Sequence, residues 1–322
     1  MSGSMGRAAN QYPAPDGTRS GLIPIEYSNA IIQEAIESSM ALSTFRRVNM
    51  PTGVHHLPVL DTLPIAGWVN GEPDTTTGAG GEKPTTTQLW KGLVLTAEEL
   101  AAIVVIPEAV LEDSSVDLWS EIAPRLGESI GRLVDLAVFP GTGKPASWPS
   151  AIVPAALAAG QNTVNPTPDA DAYNATFAFV EEDGYMVEQV YADTTQKAIF
   201  RGWNAGGVPI YLTDYRGDKR VDEIFGTPIQ YDRMGALGAL AVVGDPSKAI
   251  IGVRRDLEYK FLDQATIDIS AAQDGSQQIN LAQQDSIALR VRARFGYAVA
   301  NPVTHLEGVA ADRYPFGTIT AA

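Results

Sequence analysis

The stretch Phe139–Pro145, FPGTGKP, holds the glycine–lysine pair of a phosphate-binding loop. In such a loop backbone N–H groups cradle phosphates, the lysine reaches the terminal ones and a following hydroxyl holds magnesium. The spacing denies that chemistry, because the first glycine would fall at Val138 and the hydroxyl at Pro145. The loop should also follow a strand, whereas the residues before Phe139 carry a helical pattern. Of three histidines, His55, His56 and His305, the adjacent pair has only Asp61 at ligand spacing, so packing or surface exposure outweighs metal. The absence of cysteine removes disulfides, thiolate catalysis and zinc–thiolate sites. No Gly-x-Ser-x-Gly motif occurs, and no catalytic carboxylate pair can be singled out from 38 acidic residues. Glu181, Glu182 and Asp183 read as solvated carboxylates in a turn. No enzyme is expected, and no cofactor or metal.

Arg290, Arg292 and Arg294 project from one face of a strand, with Phe295 and Tyr297 nearby. Such a row can be a solvated face, a partner for carboxylates within the subunit or on a neighbour, or a nucleic-acid contact. A formal net charge of -15 over 322 residues, with a pI near 4.6, works against the last, because nucleic-acid binding relies on a basic surface that releases counterions. Carboxylate pairing is the more economical functional reading. No uncharged stretch approaches 18 apolar residues and the first 30 lack a signal-peptide run, so a soluble protein made in the cytosol is expected.

Several elements must position these residues. Residues 1–24, rich in Gly, Pro, Ser and Ala, read as a mobile arm that orders against a partner. A short amphipathic helix is expected from about Glu26 to Leu42. Strand-like runs at Leu63–Glu72 and Thr85–Thr96 flank a polar tip, Pro73–Pro84, and describe a projecting hairpin. Pro107 suits the first turn of a short helix. Leu118, Ile122, Leu126, Ile130, Leu133, Val134 and Ala137 then recur every three or four residues. They predict a helix of about 24 residues and roughly 36 Å, kinked or divided at Pro124. Gly141 and Gly143 end it and Pro145 prevents its continuation, which gives FPGTGKP a structural meaning. Residues 150–285 mix short helices and strands, an α+β pattern. Strict alternation over Ser286–Val299, with Ile287, Leu289, Val291, Ala293, Phe295, Tyr297 and Val299 on one face, predicts one strand some 45 Å long at roughly 3.3 Å per residue.

Three stretches in order, VIPEAVLEDSSVDLWSEIAPRLGESIGRLVDLAVFPGTGKPASWPSAI, VGDPSKAIIGVRRDLEYKFLDQA and NLAQQDSIALRVRARFGYAVANP, resemble the major capsid proteins of tailed bacteriophages, the Hong Kong 97-type fold. The resemblance spans nearly the whole chain. It implies an N-terminal arm over 1–60, an E-loop over 61–106, a P-domain with the spine helix over 107–166, an A-domain over 167–285, and the P-domain's long C-terminal strand and tail over 286–322. It further implies hexamers and pentamers closing into an icosahedral virion shell around double-stranded DNA, with a portal and possible separate scaffold and decoration proteins, no membrane, and synthesis in the bacterial cytoplasm. An acidic lining would let packed DNA move without gripping it. In the family the E-loop reaches over a neighbouring subunit. Glu72, Asp74, Glu82, Lys83 and Lys91, with Arg290, Arg292 and Arg294, are therefore the candidate assembly contacts, and the apolar strand face should cover the spine helix. Some relatives join Lys to Asn covalently; Lys83, Lys91 and Asn301 are present, but no motif matches them to crosslinking partners. Encapsulin shells, other virion structural proteins and a soluble α+β hydrolase remain the alternatives.

Overall fold

The computed structural model describes residues 39–66, 68, 85–113, 118–205, 208–209, 212–216, 219–270 and 276–321. Its strands are β1 (Arg46–Asn49), β2 (Val54–Thr62), β3 (Leu89–Thr96), β4 (Glu98–Pro107), β5 (Asn162–Val164), β6 (Gln189–Asp193), β7 (Asn204–Ala205), β8 (Val208–Pro209), β9 (Leu212–Arg216), β10 (Lys219–Ile224), β11 (Thr227–Asp232), β12 (Ala241–Gly244), β13 (Ala249–Leu262), β14 (Thr266–Asp268), β15 (Gln278–Asn280), β16 (Ser286–Val299) and β17 (Phe316–Thr320). The α-helices are α1 (Met40–Thr44), α2 (Glu108–Asp113), α3 (Leu118–Val138), α4 (Ile152–Ala158), α5 (Ala170–Glu182) and α6 (Gln196–Gly202).

The alternation at 286–299 does produce one fourteen-residue strand, and it is central in a four-stranded sheet of order β1-β13-β16-β4. Leu289, Val291, Ala293, Phe295 and Tyr297 on one face join a core with Leu126, Ile130, Val134 and Ala137 of α3, as the apolar pattern requires. Leu133, counted with that stripe, is instead exposed. Helix α3 runs 21 residues, about 32 Å at 1.5 Å each, and Pro124 lies inside it without dividing it. Past Val138 both Gly141 and Thr142 donate their N–H groups to the Leu136 carbonyl, at 3.0 and 2.9 Å, with Gly141 at φ +83°. This is the six-to-one closure that a left-handed glycine permits, so the GTGKP run is a helix stop.

Strand β13, also fourteen residues, pairs antiparallel along β16. It falls within the 167–285 span expected as an A-domain, yet it lies in the spine-helix sheet. The register shifts between Val253 and Arg255 and again between Arg255 and Glu258, and these bulges break the alternation that would have announced the strand. The second sheet has seven strands in the order β5-β17-β12-β6-β11-β10-β9, with α5 against β17 and β12. Strand β17 comes from the tail expected with the long strand, and it sits in the interior of this other sheet.

The helix expected over 26–42 needs correction where it can be seen. Ser39 is extended (ψ 130°) and its Oγ accepts from the Leu42 N–H, so Ser39 caps a new helix, α1. Residues 26–38 lie outside the described residues. The buried carboxylate of Asp135 in α3 accepts from Ser39 Oγ (2.7 Å), Met40 N (2.9 Å) and Ala41 N (3.0 Å) and so fastens this segment to the spine helix. The hairpin also shifts. Its described first strand is β2, Val54–Thr62; of the expected Leu63–Glu72 only 63–66 and 68 are described, none of them in a strand, and among the described residues β2 pairs only with β3. Pro58 is tolerated because β2 is an edge strand of a two-stranded ribbon.

Candidate assembly interface

Residues directly opposite on paired strands share a sheet face, so the arginine row can be placed strand by strand. Arg290 lies between Lys260 of β13 and Ile103 of β4, Arg292 between Glu258 and Ala101, and Arg294 between Arg255 and Glu99. Arg292 Nε and Nη2 both reach the Glu258 carboxylate at 3.2 Å, and Arg255 Nη1 reaches it at 2.8 Å. Arg294 Nε donates to Glu99 Oε2 at 2.7 Å, joined by its Nη2. The hydrogen bonds from Arg294 and Arg292 hold the Glu99 and Glu258 carboxyls, respectively, below the usual range, so both stay ionised further into acid. Two of the three arginines are therefore matched within the subunit. Arg290 has no carboxylate partner among the described residues, and its Nε is buried without a hydrogen bond.

These pairs lie at the surface, with Arg292 half-buried and their carboxylates exposed, where ion pairs contribute little to folding. Glu258→Gln is expected to leave the melting temperature of the isolated subunit within error of wild type, measured by circular dichroism. A drop of several degrees would mean that the ladder holds the sheet together.

The β2–β3 ribbon crosses the same face of the sheet at its other end. Met50 and Leu95 pack there on Ile250 and Ala298, directly over the cross-strand glycine pair Gly252 and Gly296. A clip of buried polar groups closes the base. Arg313, 1% exposed, donates to the carbonyls of Pro302 (3.1 Å), Gly308 (2.7 Å) and Asn301 (3.2 Å), while Val303 N–H reaches the Leu60 carbonyl of β2 (3.1 Å). Lys91 of β3 faces a cleft of about 210 Å³ that Asp61 and Asn301 also line. The Asn301 amide is engaged, its Nδ2 donating to Ala310 O and Arg313 O and its Oδ1 accepting from the Tyr185 hydroxyl. It serves as a structural clip in this geometry.

Beyond the base the ribbon carries Ile65, Leu89 and Trp90 exposed, the last at 62%, and Trp68 at 98%. Glu72, Asp74, Glu82 and Lys83 lie outside the described residues. Sequence reading missed several buried charged groups, Asp135 and Asp183 among them. Asp135 lies two turns after Glu128, on the side of α3 away from the apolar stripe, so spacing gave no sign of its burial. Asp183, read as solvated, is buried at the end of α5, where it accepts from Tyr314 N–H (2.8 Å) and the Gln161 amide; burial pushes its carboxyl up. Among the described residues no three His, Cys, Asp or Glu side chains come together as metal ligands.

A family model, the phage capsid family, matches residues 20–304. The chain belongs to the phage capsid family. Solved chains agree with the assignment. The capsid protein is 38% identical to a chain from Microbacterium phage Oxtober96, covering 93% of this chain and 96% of that one, with a TM-score of 0.80. It is 36% identical to a chain from Mycobacterium phage Cain, covering 93% and 95%, with a TM-score of 0.78. The capsid of the native GTA particle, at 16% identity and a TM-score of 0.59 over 98% of this chain and 100% of that one, shares the fold. A search of curated proteins gives no match. The mixed helix-and-strand architecture is thus the Hong Kong 97-type fold, and the protein is a structural component of a virion shell. Neither the encapsulin reading nor the hydrolase reading finds support among these matches.

Proposed function

We propose that copies of this capsid protein associate as hexamers and pentamers and close into an icosahedral shell around double-stranded DNA. The observation that carries this reading is the E-loop ribbon. It is two-stranded, hydrogen-bonds to no other strand among the described residues, and presents Trp68, Trp90, Ile65 and Leu89 to solvent. An isolated two-stranded ribbon is marginal in water, and large exposed aromatic side chains together mark an interaction surface. The ribbon reaches over a neighbouring copy, a contact between two unlike surfaces that closes rings. Glu72, Asp74, Glu82, Lys83 and Lys91 supply its polar contacts, and the arginine row lies on a receiving face. The units are an N-arm ahead of the ribbon, an E-loop built on β2 and β3, the spine helix with the long strands β4, β13 and β16 as P-domain, and an A-domain around the seven-stranded sheet. Assembly takes place in the host cytoplasm beside a portal, and any scaffold or decoration protein is a separate chain. An acidic chain of net charge -15 encloses DNA without binding it.

Electron microscopy of the purified protein after size-exclusion chromatography tests this directly: closed shells or rings of five and six subunits are expected. As shells form, burial of Trp68 and Trp90 should shift tryptophan emission to the blue, and the double variant Trp68→Ser, Trp90→Ser should lose that shift. A persistent 34 kDa monomer at high salt and concentration would sink the reading.

A further inference from the structure

We infer that Arg290 and Lys260 form a receptor for a carboxylate of a second copy of this chain. The inference rests on the shell-building reading and names one of its contacts. Arg290 and Lys260 stand directly opposite each other on β16 and β13, a like-charge cross-strand pair that disfavours folding of the lone subunit. The two arginines further along the row have their charges met by Glu258 and Glu99, and nothing among the described residues does the same for this pair. Arg290 Nε is buried without a partner, although a guanidinium nitrogen out of contact with water requires an acceptor. Ile103, opposite Arg290 on β4, is 44% exposed, so an apolar contact flanks the cationic pair. Five cations on this face, Lys260, Arg290, Arg292, Arg294 and Arg255, meet two anions, Glu258 and Glu99, leaving an excess of three positive charges on a chain of net charge -15. The surface that complements it best is another copy of the same acidic chain. The planar guanidinium binds a carboxylate through two N–H groups, with the ammonium as a second donor.

The test uses the full chain. Arg290→Glu combined with Lys260→Glu, and separately Arg290→Gln, are compared with wild type by sedimentation of assembled shells and by thermal melting of the unassembled subunit. The double variant should lower shell yield at least tenfold with an unchanged or higher subunit melting temperature, and Arg290→Gln should give an intermediate yield. Independently, a carbodiimide applied to shells assembled from mixed light and heavy isotope-labelled subunits should join Lys260 to an acidic peptide of the other label. Normal shell yield from the double variant, or Lys260 joined only to same-label peptides, would overturn the inference while leaving the shell reading intact. Normal yield with reduced retention of DNA would overturn it in favour of nucleic acid as the partner. Failure of wild type to form shells would instead remove the reading on which it rests.

Discussion

Replacing Asp135 by Ala is expected to unfasten residues 39–45 from the spine helix and to lower subunit stability by about 3 kcal/mol at neutral pH. Asp135 is 1% exposed and is the common acceptor for Ser39 Oγ–H, Met40 N–H and Ala41 N–H. Alanine offers none of the three an acceptor, and each stranded donor costs about 1 to 3 kcal/mol. Removing a buried charge returns part of that, so the net loss is smaller than the sum. Urea unfolding measures the loss, and trypsin measures the unfastening, because Arg46 and Arg47 are exposed just beyond α1. Cleavage at wild-type rates would show that the carboxylate does not hold the segment.

The same residue sets a pH dependence. Burial raises the Asp135 carboxyl from 3.8 to about 6, against the hydrogen bonds from Ser39, Ala41 and Met40, and nearby Asp232 raises it further. Tyr191 is the other titratable group near it, its hydroxyl held by Thr44 of α1. The folded form therefore binds this proton more tightly than the unfolded chain. The resulting stability is present in full below pH 4 and is lost as pH rises through about 6, a change of about 3 kcal/mol. The difference in stability between wild type and Asp135→Ala should accordingly be larger at pH 5 than at pH 7.5. An equal difference at both values would place the carboxyl at its ordinary range.

Gly252→Val is expected to destabilise the subunit by about 3 kcal/mol, although intrinsic preference argues for the opposite sign. Glycine within a strand costs about 0.5 to 1 kcal/mol, and valine is among the best strand formers. Here space decides. A Cβ at Gly252 would run into the Sδ of buried Met50 and stand 3.2 Å from Leu95 Cδ2. One at Gly296 across the ladder would lie 3.0 Å from the same sulfur and 3.1 Å from the Thr96 carbonyl. The two glycines form a flat seat on which the E-loop base lies, so valine must lift β3 off the sheet or displace Met50 from the core. Thermal melting reports the loss, and hydrogen exchange at Leu93–Thr96 locates it. A variant as stable as wild type would show that Met50 can leave without consequence.

Strand β16 was legible because its alternation runs unbroken with Arg on one face and large apolar residues on the other. Its equal-length partner β13 was not, because two bulges put Arg254 and Arg255 side by side and defeat a period of two. The helix stop was legible because two glycines and a proline in five residues admit few other uses. The start of the hairpin was hidden by Pro51 and Pro58, which signal a turn unless the strand is known to lie at an edge. For the interface, the arginine row could be placed on a face from spacing alone. Its partners could not, since Glu258 and Glu99 reach it only through pairing across the sheet. Asp135 showed the converse difficulty: its spacing places it with Glu128 on the polar side of α3, and only the fold reveals that it is buried and that its donors lie 94 to 96 residues away.

Strand β17 occupies an interior position of the seven-stranded sheet, parallel to β5 on one side and antiparallel to β12 on the other. During synthesis, everything up to residue 315 can leave the ribosome while a slot between β5 and β12 stands empty. The sheet closes only when residues 316–320 have also emerged. A chain cut short by a frameshift or a stalled ribosome keeps two unsatisfied strand edges and an open core, and proteases and chaperones act on such surfaces. Emergence of residues 316–320 thereby becomes a condition of native structure, and polypeptides that stop short of them are excluded before they can be incorporated.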